Sequence, residues 1–156
     1  MEGILESLQG RGVKRFERGE FVIRQGEQTG CLFFLVEGSV EILKDDVSVG
    51  TTSQSGVVFG EMAAILGVKH TASVKAATDC KFYVVEGSDS LMEKSPEMGR
   101  YLCSILARRL DSVNSYLVKL KQSTEGREHL DPVIGALEAL LQAQPGRPRG
   151  GKQTLL

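Results

Sequence analysis

The chain has 156 residues, enough for one domain of ordinary size with a real core. A net charge of −1, with 25% charged and 41% hydrophobic residues, is average for a globular protein and excludes a general attraction to nucleic acid or anionic lipid. Apolar runs such as CLFFLV are too short to cross a bilayer, and the start, MEGILESLQG, is acidic and lacks a signal-peptide core. Cys31, Cys80 and Cys103 are odd in number and scattered, which suits a reducing compartment and small buried hydrophobes better than a disulfide framework. A cytoplasmic protein without a membrane span is expected.

A small helix is expected at the N-terminus. From Gly19 to Glu86, turn residues recur at short intervals: Gly19, Gly26, Gly30, Gly38, Asp45-Asp46, Gly50, Gly56 and Gly60. Between them lie the β-rich segments FVIR, CLFFLVEG, SVEILK, TASVKA and CKFYVVE. In SVEILK, Val40 and Ile42 face one way and Glu41 the other. Short strands at regular spacing predict a β-sandwich or barrel, and a jelly roll protects its edges by wrapping two sheets together.

After Glu86 the texture changes. SDSLMEKSPE carries helix-start chemistry, with Ser88 as a candidate N-cap. From about Pro96 to Gln122, Leu102, Leu106, Leu110, Val113, Leu117 and Leu120 recur at intervals of four and three, close to a heptad seam. A break at STEGRE precedes DPVIGALEALLQAQ, a shorter helical pattern with Asp131 as cap and Pro132 in its first turn. The last twelve residues, PGRPRGGKQTLL, have the composition of a disordered basic tail. The expected organisation is a domain over 1–122 that includes the long helix, an extra short helix over 123–144, and the tail over 145–156. The fold class is α+β, mainly β.

The informative stretch is SGVVFGEMAAILGVKHTASV. Gly60 lets backbone approach a ligand closely. EMAAIL forms about one helical turn, whose free N–H groups at its start attract an anion such as phosphate. Glu61, at the same end, accepts hydrogen bonds from hydroxyls such as those of a sugar. Thr71 adds a hydroxyl donor and His70 a part-time cation. The same residues also read as a strand, a helical turn and a strand of an apolar barrel, and chemistry alone favours that plainer reading.

The stretch resembles the phosphate-binding cassette of cyclic-nucleotide-binding domains, Phe-Gly-Glu-Leu-Ala followed by Arg-Thr/Ser-Ala-Ser/Thr-Val. Upstream, RFERGEFVIRQGEQTGCLFFLVEGSVEIL is similar to the barrel signature of that family, and LARRLDSVNSYL resembles the dimer helix of catabolite-activator-type regulators. The resemblance runs from about Arg15 to Gln122 and implies a β-jelly-roll barrel with flanking helices. It implies a cyclic AMP (cAMP) or cyclic GMP (cGMP) ligand with no further cofactor. Glu61 would accept from the ribose 2′-hydroxyl, with Gly60 giving close approach. The N–H groups of Met62 and Ala63 would face the phosphate, and Thr71 and Ala72 would donate from its far side.

Position 70 departs from that pattern in register: the family has arginine, this chain histidine. Arginine is permanently charged and holds phosphate bidentately. Histidine is shorter and mostly neutral near pH 7, with an ordinary pKa of ~6.5. Losing a charge-assisted hydrogen bond costs about 1.5–3 kcal/mol, roughly 10- to 150-fold in affinity. Lys69 is expected to face solvent. On the long helix, the family's adenine-contacting Thr-Ser pair is replaced by Val113 and Asn114. Asn114 still pairs with an adenine edge; Val113 does not, and it continues the apolar stripe. His70 therefore has three readings: a weakened phosphate ligand, a relic in a pocket that no longer binds, or a ligand for another anion. His129 reads as a solvated side chain.

No nucleophile–base or metal-ligand spacing stands out, so no enzyme is expected. One short helical pattern follows Gln122 without a second recognition helix, so specific DNA binding is not expected. Two functions remain. One is a regulatory module with a degenerate cassette, acting through protein–protein contacts with an effector and dimerising through the long helix. Some members of the family that the chain resembles fill the pocket with a segment of their own chain, a part that DPVIGALEALLQ or the tail would play here. The other is a working stand-alone cyclic nucleotide sensor.

Overall fold

In the computed structural model, which describes residues 2–87 and 95–122, the strands pair into two four-stranded antiparallel sheets. Helix α1 (Glu2–Ser7) precedes β1 (Val13–Phe16), β2 (Phe21–Ile23), β3 (Cys31–Glu37), β4 (Val40–Lys44), β5 (Val47–Thr52) and β6 (Val58–Phe59). Helix α2 (Glu61–Leu66), β7 (Ser73–Ala76), β8 (Cys80–Glu86) and helix α3 (Pro96–Gln122) follow. One sheet has the order β1-β8-β3-β6 and the other β2-β7-β4-β5. This is the expected jelly roll. The segments FVIR, CLFFLVEG, SVEILK, TASVKA and CKFYVVE all hold strands within a residue or two of their bounds.

Three strands went unread in the sequence, for local reasons. β5 is exposed along most of its length, so no burial pattern marks it. β6 has only two residues. β1, VKRF, exposes three of its four residues and is a strand because it pairs with β8, Val13 opposite Tyr83 and Phe16 opposite Cys80.

The central strand β3 explains how the layers are held. Leu32, Phe33, Phe34 and Leu35 are all buried, so the segment reads as a continuous apolar run without alternation. Phe33 and Leu35 enter the core between the sheets, with Phe16, Ile23, Val40, Val74 and Phe82. Leu32 and Phe34 face the other way, into a second core with Leu8, Val58, Val85, Met98 and Leu102. The inner core centres on Phe82, whose ring meets Phe16 edge-on at 5.6 Å and 89°, Phe33 at 6.5 Å and Phe59 at 6.4 Å. Tyr101 closes the outer core by donating its hydroxyl to the Gly56 carbonyl at 2.7 Å.

The hairpin from β4 to β5 turns through Asp45 and Asp46, at φ 50° and 61°. A two-residue turn matching the strand twist requires this left-handed conformation, which Asp tolerates better than most residues. Helix α3 spans the expected Pro96–Gln122. Its cap is Ser95, whose hydroxyl accepts from the Met98 N–H at 3.3 Å, with Pro96 in the first turn. Ser88, the cap candidate from sequence, lies outside the described residues, as do the 123–144 helical pattern and the 145–156 tail.

The chain divides into two compact units, the first ending at Ile105. Leu102 belongs to the first and is an outer-core residue, so the apolar stripe of α3 begins as barrel packing. Of the second unit, Leu110 and Val113 are exposed. The thiols also divide: Cys80 is buried, Cys31 half-buried and Cys103 exposed, so the buried-hydrophobe expectation fails for Cys103. Among the described residues no helix is long and apolar enough to cross a membrane.

Phe82 is fully buried where three other rings converge. Phe82→Ala is expected to cost about 3–5 kcal/mol of stability in urea titrations. Val47→Ala, on a side chain 64% exposed, should stay within about 0.5 kcal/mol. Equal losses at both positions would contradict the two-sheet core.

Candidate functional site

The cassette stretch forms the corner from β6 through α2 to β7. Gly60 caps α2 at φ 88° and ψ −1°, a left-handed conformation that disfavours any side chain. A Cβ there would also stand 2.6 Å from the carbonyl oxygen of Cys31. The glycine's close approach is thus to the protein's own β3 backbone, a demand of the fold that applies whether or not a ligand binds.

Glu61 follows in the first turn and is 3% exposed. Met62 projects outward, whereas Ala63 is buried and its carbonyl accepts from the Val68 N–H at 3.1 Å. Gly67, at φ 64° and ψ 32°, ends the helix with its own N–H to Ala63.

His70 is the second buried ionisable side chain of the corner, 4% exposed. Two backbone bonds fix it: its N–H donates to the Glu27 carbonyl, and its carbonyl accepts from the Gly26 N–H, each at 2.8 Å. Its Nε2 lies 2.8 Å from Thr29 Oγ1, and that hydroxyl also accepts from the Cys31 N–H at 3.3 Å. The ring carbon Cε1 lies 3.4 Å from the position a Gly60 Cβ would take. Beside the ring is a cleft of about 140 Å³ lined by Gly30, Cys31, Gly60, Ala63, Val68 and His70. Small-molecule sites begin at about 300 Å³.

Burial pushes the His70 pKa below its ordinary value, and the negative charges of Glu27 and Glu61 offset this only in part. The imidazole is therefore mainly neutral near pH 7. Lys69 is exposed, as expected.

Thr71 and Ala72 are half-buried. The Thr71 carbonyl accepts from Lys44 Nζ at 2.6 Å, and Ser73 Oγ accepts from the Gln25 N–H at 2.8 Å. The structure thus gathers Gly60, Glu61, Ala63 and His70 at one corner, with Thr71 and Ala72 leading into β7. Asn114 lies on α3 in the second compact unit and is half-buried. Sequence reasoning missed Thr29 and Lys44. Thr29 carries no local signal, since only tertiary contact joins it to a residue 41 positions away. Lys44 was legible through strand alternation, because it has the same parity as Val40 and Ile42.

Two antiparallel four-stranded sheets with a glycine-capped helical turn at this corner make a jelly-roll barrel. The model of the cyclic nucleotide-binding domain matches residues 13–92, and the chain belongs to that family. It is 34% identical over 110 residues to a protein named as a potassium channel from Rhodopseudomonas palustris, covering 68% of this chain and 26% of that protein. The Thermus thermophilus catabolite activator protein shares the fold, with a TM-score of 0.64 at 22% identity over 77% of this chain and 59% of that one. The regulatory subunit of a cAMP-independent protein kinase A from Trypanosoma brucei matches with a TM-score of 0.53 at 25% identity, over 63% of this chain and 34% of that one.

The lowered His70 pKa makes stability depend on pH. Above the unfolded value of ~6.5 the group is neutral in both states, and its contribution is fully present. As pH falls below that value the unfolded chain takes up a proton that the folded chain resists, so stability declines. Urea unfolding between pH 7.5 and about 5.5 should show this decline in the wild type and a shallower one in His70→Gln. Parallel profiles for the two proteins would mean that His70 is not buried in its neutral form.

Proposed function

We propose that the chain is a non-enzymatic regulatory domain with a degenerate phosphate cassette, in which binding of cAMP or cGMP is weak or lost at neutral pH and signalling runs through protein–protein contacts. The observation that carries this reading is the state of His70. Where the family pattern has a cation aimed at phosphate, this chain has a buried, uncharged ring bonded to Thr29. Phosphate binding at this position requires breaking that contact or protonating a ring whose surroundings disfavour the charge. Either cost adds to the loss of the bidentate arginine, about 1.5–3 kcal/mol. The Trypanosoma brucei relative, described as part of a cAMP-independent kinase, indicates that this fold serves regulation without that ligand.

A second reading, a working cAMP sensor, is favoured by the rest of the cassette. Gly60, Glu61 and Ala63 keep their places around α2, and the Thr71-Ala72 pair follows in register. In this reading Glu61 holds the ribose, and the Met62 and Ala63 N–H groups face the phosphate.

The functional unit we propose is a homodimer through α3. Leu110 and Val113 are 48% and 49% exposed and continue, with Leu106 and Leu117, a spacing of four, three and four. Tyr116 and Val118 add exposed apolar surface beside them. The effector contacted by such a dimer would be a protein, since the net charge of −1 offers no general attraction to nucleic acid.

Sedimentation at micromolar concentration should show a species twice the 16.9 kDa chain mass, and Leu110→Glu with Val113→Glu should return it to monomer. A wild type that sediments only as monomer removes the dimer.

Calorimetry with cAMP and cGMP tests the cassette. The wild type should bind weakly or not at all near pH 7, and His70→Arg should gain roughly 10- to 150-fold. Any wild-type binding should strengthen as pH falls, because phosphate favours the imidazolium. Tight wild-type binding that is unchanged between about pH 6 and 8 would establish the sensor instead.

A further inference from the structure

Position 70 leaves the cassette without a permanent cation, yet the structure brings one to it from another strand. Lys44 is the last residue of β4. Val40 and Ile42 of that strand turn toward the core between the sheets, and the two-residue period puts Lys44 on the same face at the strand's end. The register pairs Leu43 with Ser73, which sets Lys44 beside the residues that lead into β7. There its Nζ donates to the carbonyl of Thr71, the residue directly after His70, at 2.6 Å.

We propose that Lys44 supplies, at the Thr71 end of the cassette, the fixed positive charge for a cyclic nucleotide phosphate that position 70 does not carry. The proposal rests on the reading that the cassette is degenerate at His70, and it assigns the residual affinity to a particular side chain.

Three features support it. First, the charge is not spent on an ion pair. Among the described residues Lys44 pairs with no carboxylate, and its named partner is a neutral carbonyl. The nearest carboxylate in sequence, Asp45, accepts instead from Gln25 Nε2 at 2.7 Å. Second, the ammonium has three donors and Thr71 uses one, so donors remain for an anion. Third, the turn that follows the lysine is held in place, while the side chain itself is exposed. Asp45 N–H donates to Gln25 Oε1 at 2.9 Å while Gln25 N–H donates to Ser73 Oγ at 2.8 Å. Gln25 thereby ties the turn that follows Lys44 to the start of β7. Lysine is a point charge on a flexible stem, without arginine's planar fork. Phosphate held this way is bound more weakly, more sensitively to salt, and with less control of orientation.

The test is titration of the full chain with cAMP and cGMP to millimolar concentration, followed by calorimetry and by amide chemical shifts of Thr71 and Ser73. Lys44→Met should lower affinity about five- to tenfold, and Lys44→Arg should stay within about twofold of the wild type. Lys44→Gln keeps a donor for Thr71 without the charge, so it should fall with Lys44→Met and lose most of the salt dependence, even if Met perturbs folding. In a His70→Arg background the loss on Lys44→Met should shrink, because the arginine takes over the phosphate. Equal affinity of wild type, Lys44→Met and Lys44→Gln would overturn the role of Lys44 while leaving the degenerate cassette intact. No shift of the wild type at millimolar nucleotide would overturn it too, and would leave the protein-contact reading standing. Tight wild-type binding lost on Lys44→Gln would support Lys44 and overturn the weak-binding reading instead.

Discussion

The burial of β3 on both faces is the constraint from which the rest of the molecule follows. Four successive apolar residues, Leu32 to Leu35, cannot be covered by one layer, because alternate side chains point to opposite faces of the sheet. The second sheet covers one face, and Leu8 from the turn after α1 with Met98 and Leu102 of α3 covers the other. In the plane of its sheet the strand pairs with β8 along its length and with β6 at Phe33 and Phe34. At its start, the carbonyl of Cys31 approaches Gly60 so closely that no side chain fits between them. The position of the cassette is therefore fixed by the core.

That origin separates two kinds of residue in the FGE stretch. Gly60 is required by φ and by the Cys31 carbonyl, so its presence says nothing about ligand. Glu61 and His70 are different: a buried carboxyl group and a buried imidazole are costly unless their surroundings satisfy them. For His70 burial favours the neutral ring, Glu27 and Glu61 pull more weakly the other way, and the Thr29 hydroxyl meets Nε2. The balance favours the uncharged ring near pH 7. An arginine would have reversed the balance by carrying its charge regardless of burial.

The long helix shows the same division of labour within one element. Its stripe is regular in sequence from Leu102 onward, yet Leu102 is spent in the outer core of the barrel and Leu110 and Val113 are exposed. Capping by Ser95 and the Pro96 first turn start the helix independently of either use.

The sequence by itself determined the jelly-roll class, five of the strands, the α2 turn, and the Pro96–Gln122 helix, because turn glycines, β-rich runs and helical spacing are local signals. It also placed His70 at the deciding position, since the register of the cassette is written in consecutive residues. Strands β1 and β6 were not legible, because each exists through pairing with a partner distant in sequence, β8 and β3, and β5 was not because its exposed residues carry no burial pattern. Only the tertiary structure decided what His70 meets: Thr29 comes from a loop 41 positions away. It alone brought Lys44 to Thr71 across 27 positions. It also showed that Gly60 answers a demand of backbone packing against Cys31. Contacts of this kind depend on how strands pair and loops close, and no short-range pattern in a chain encodes them.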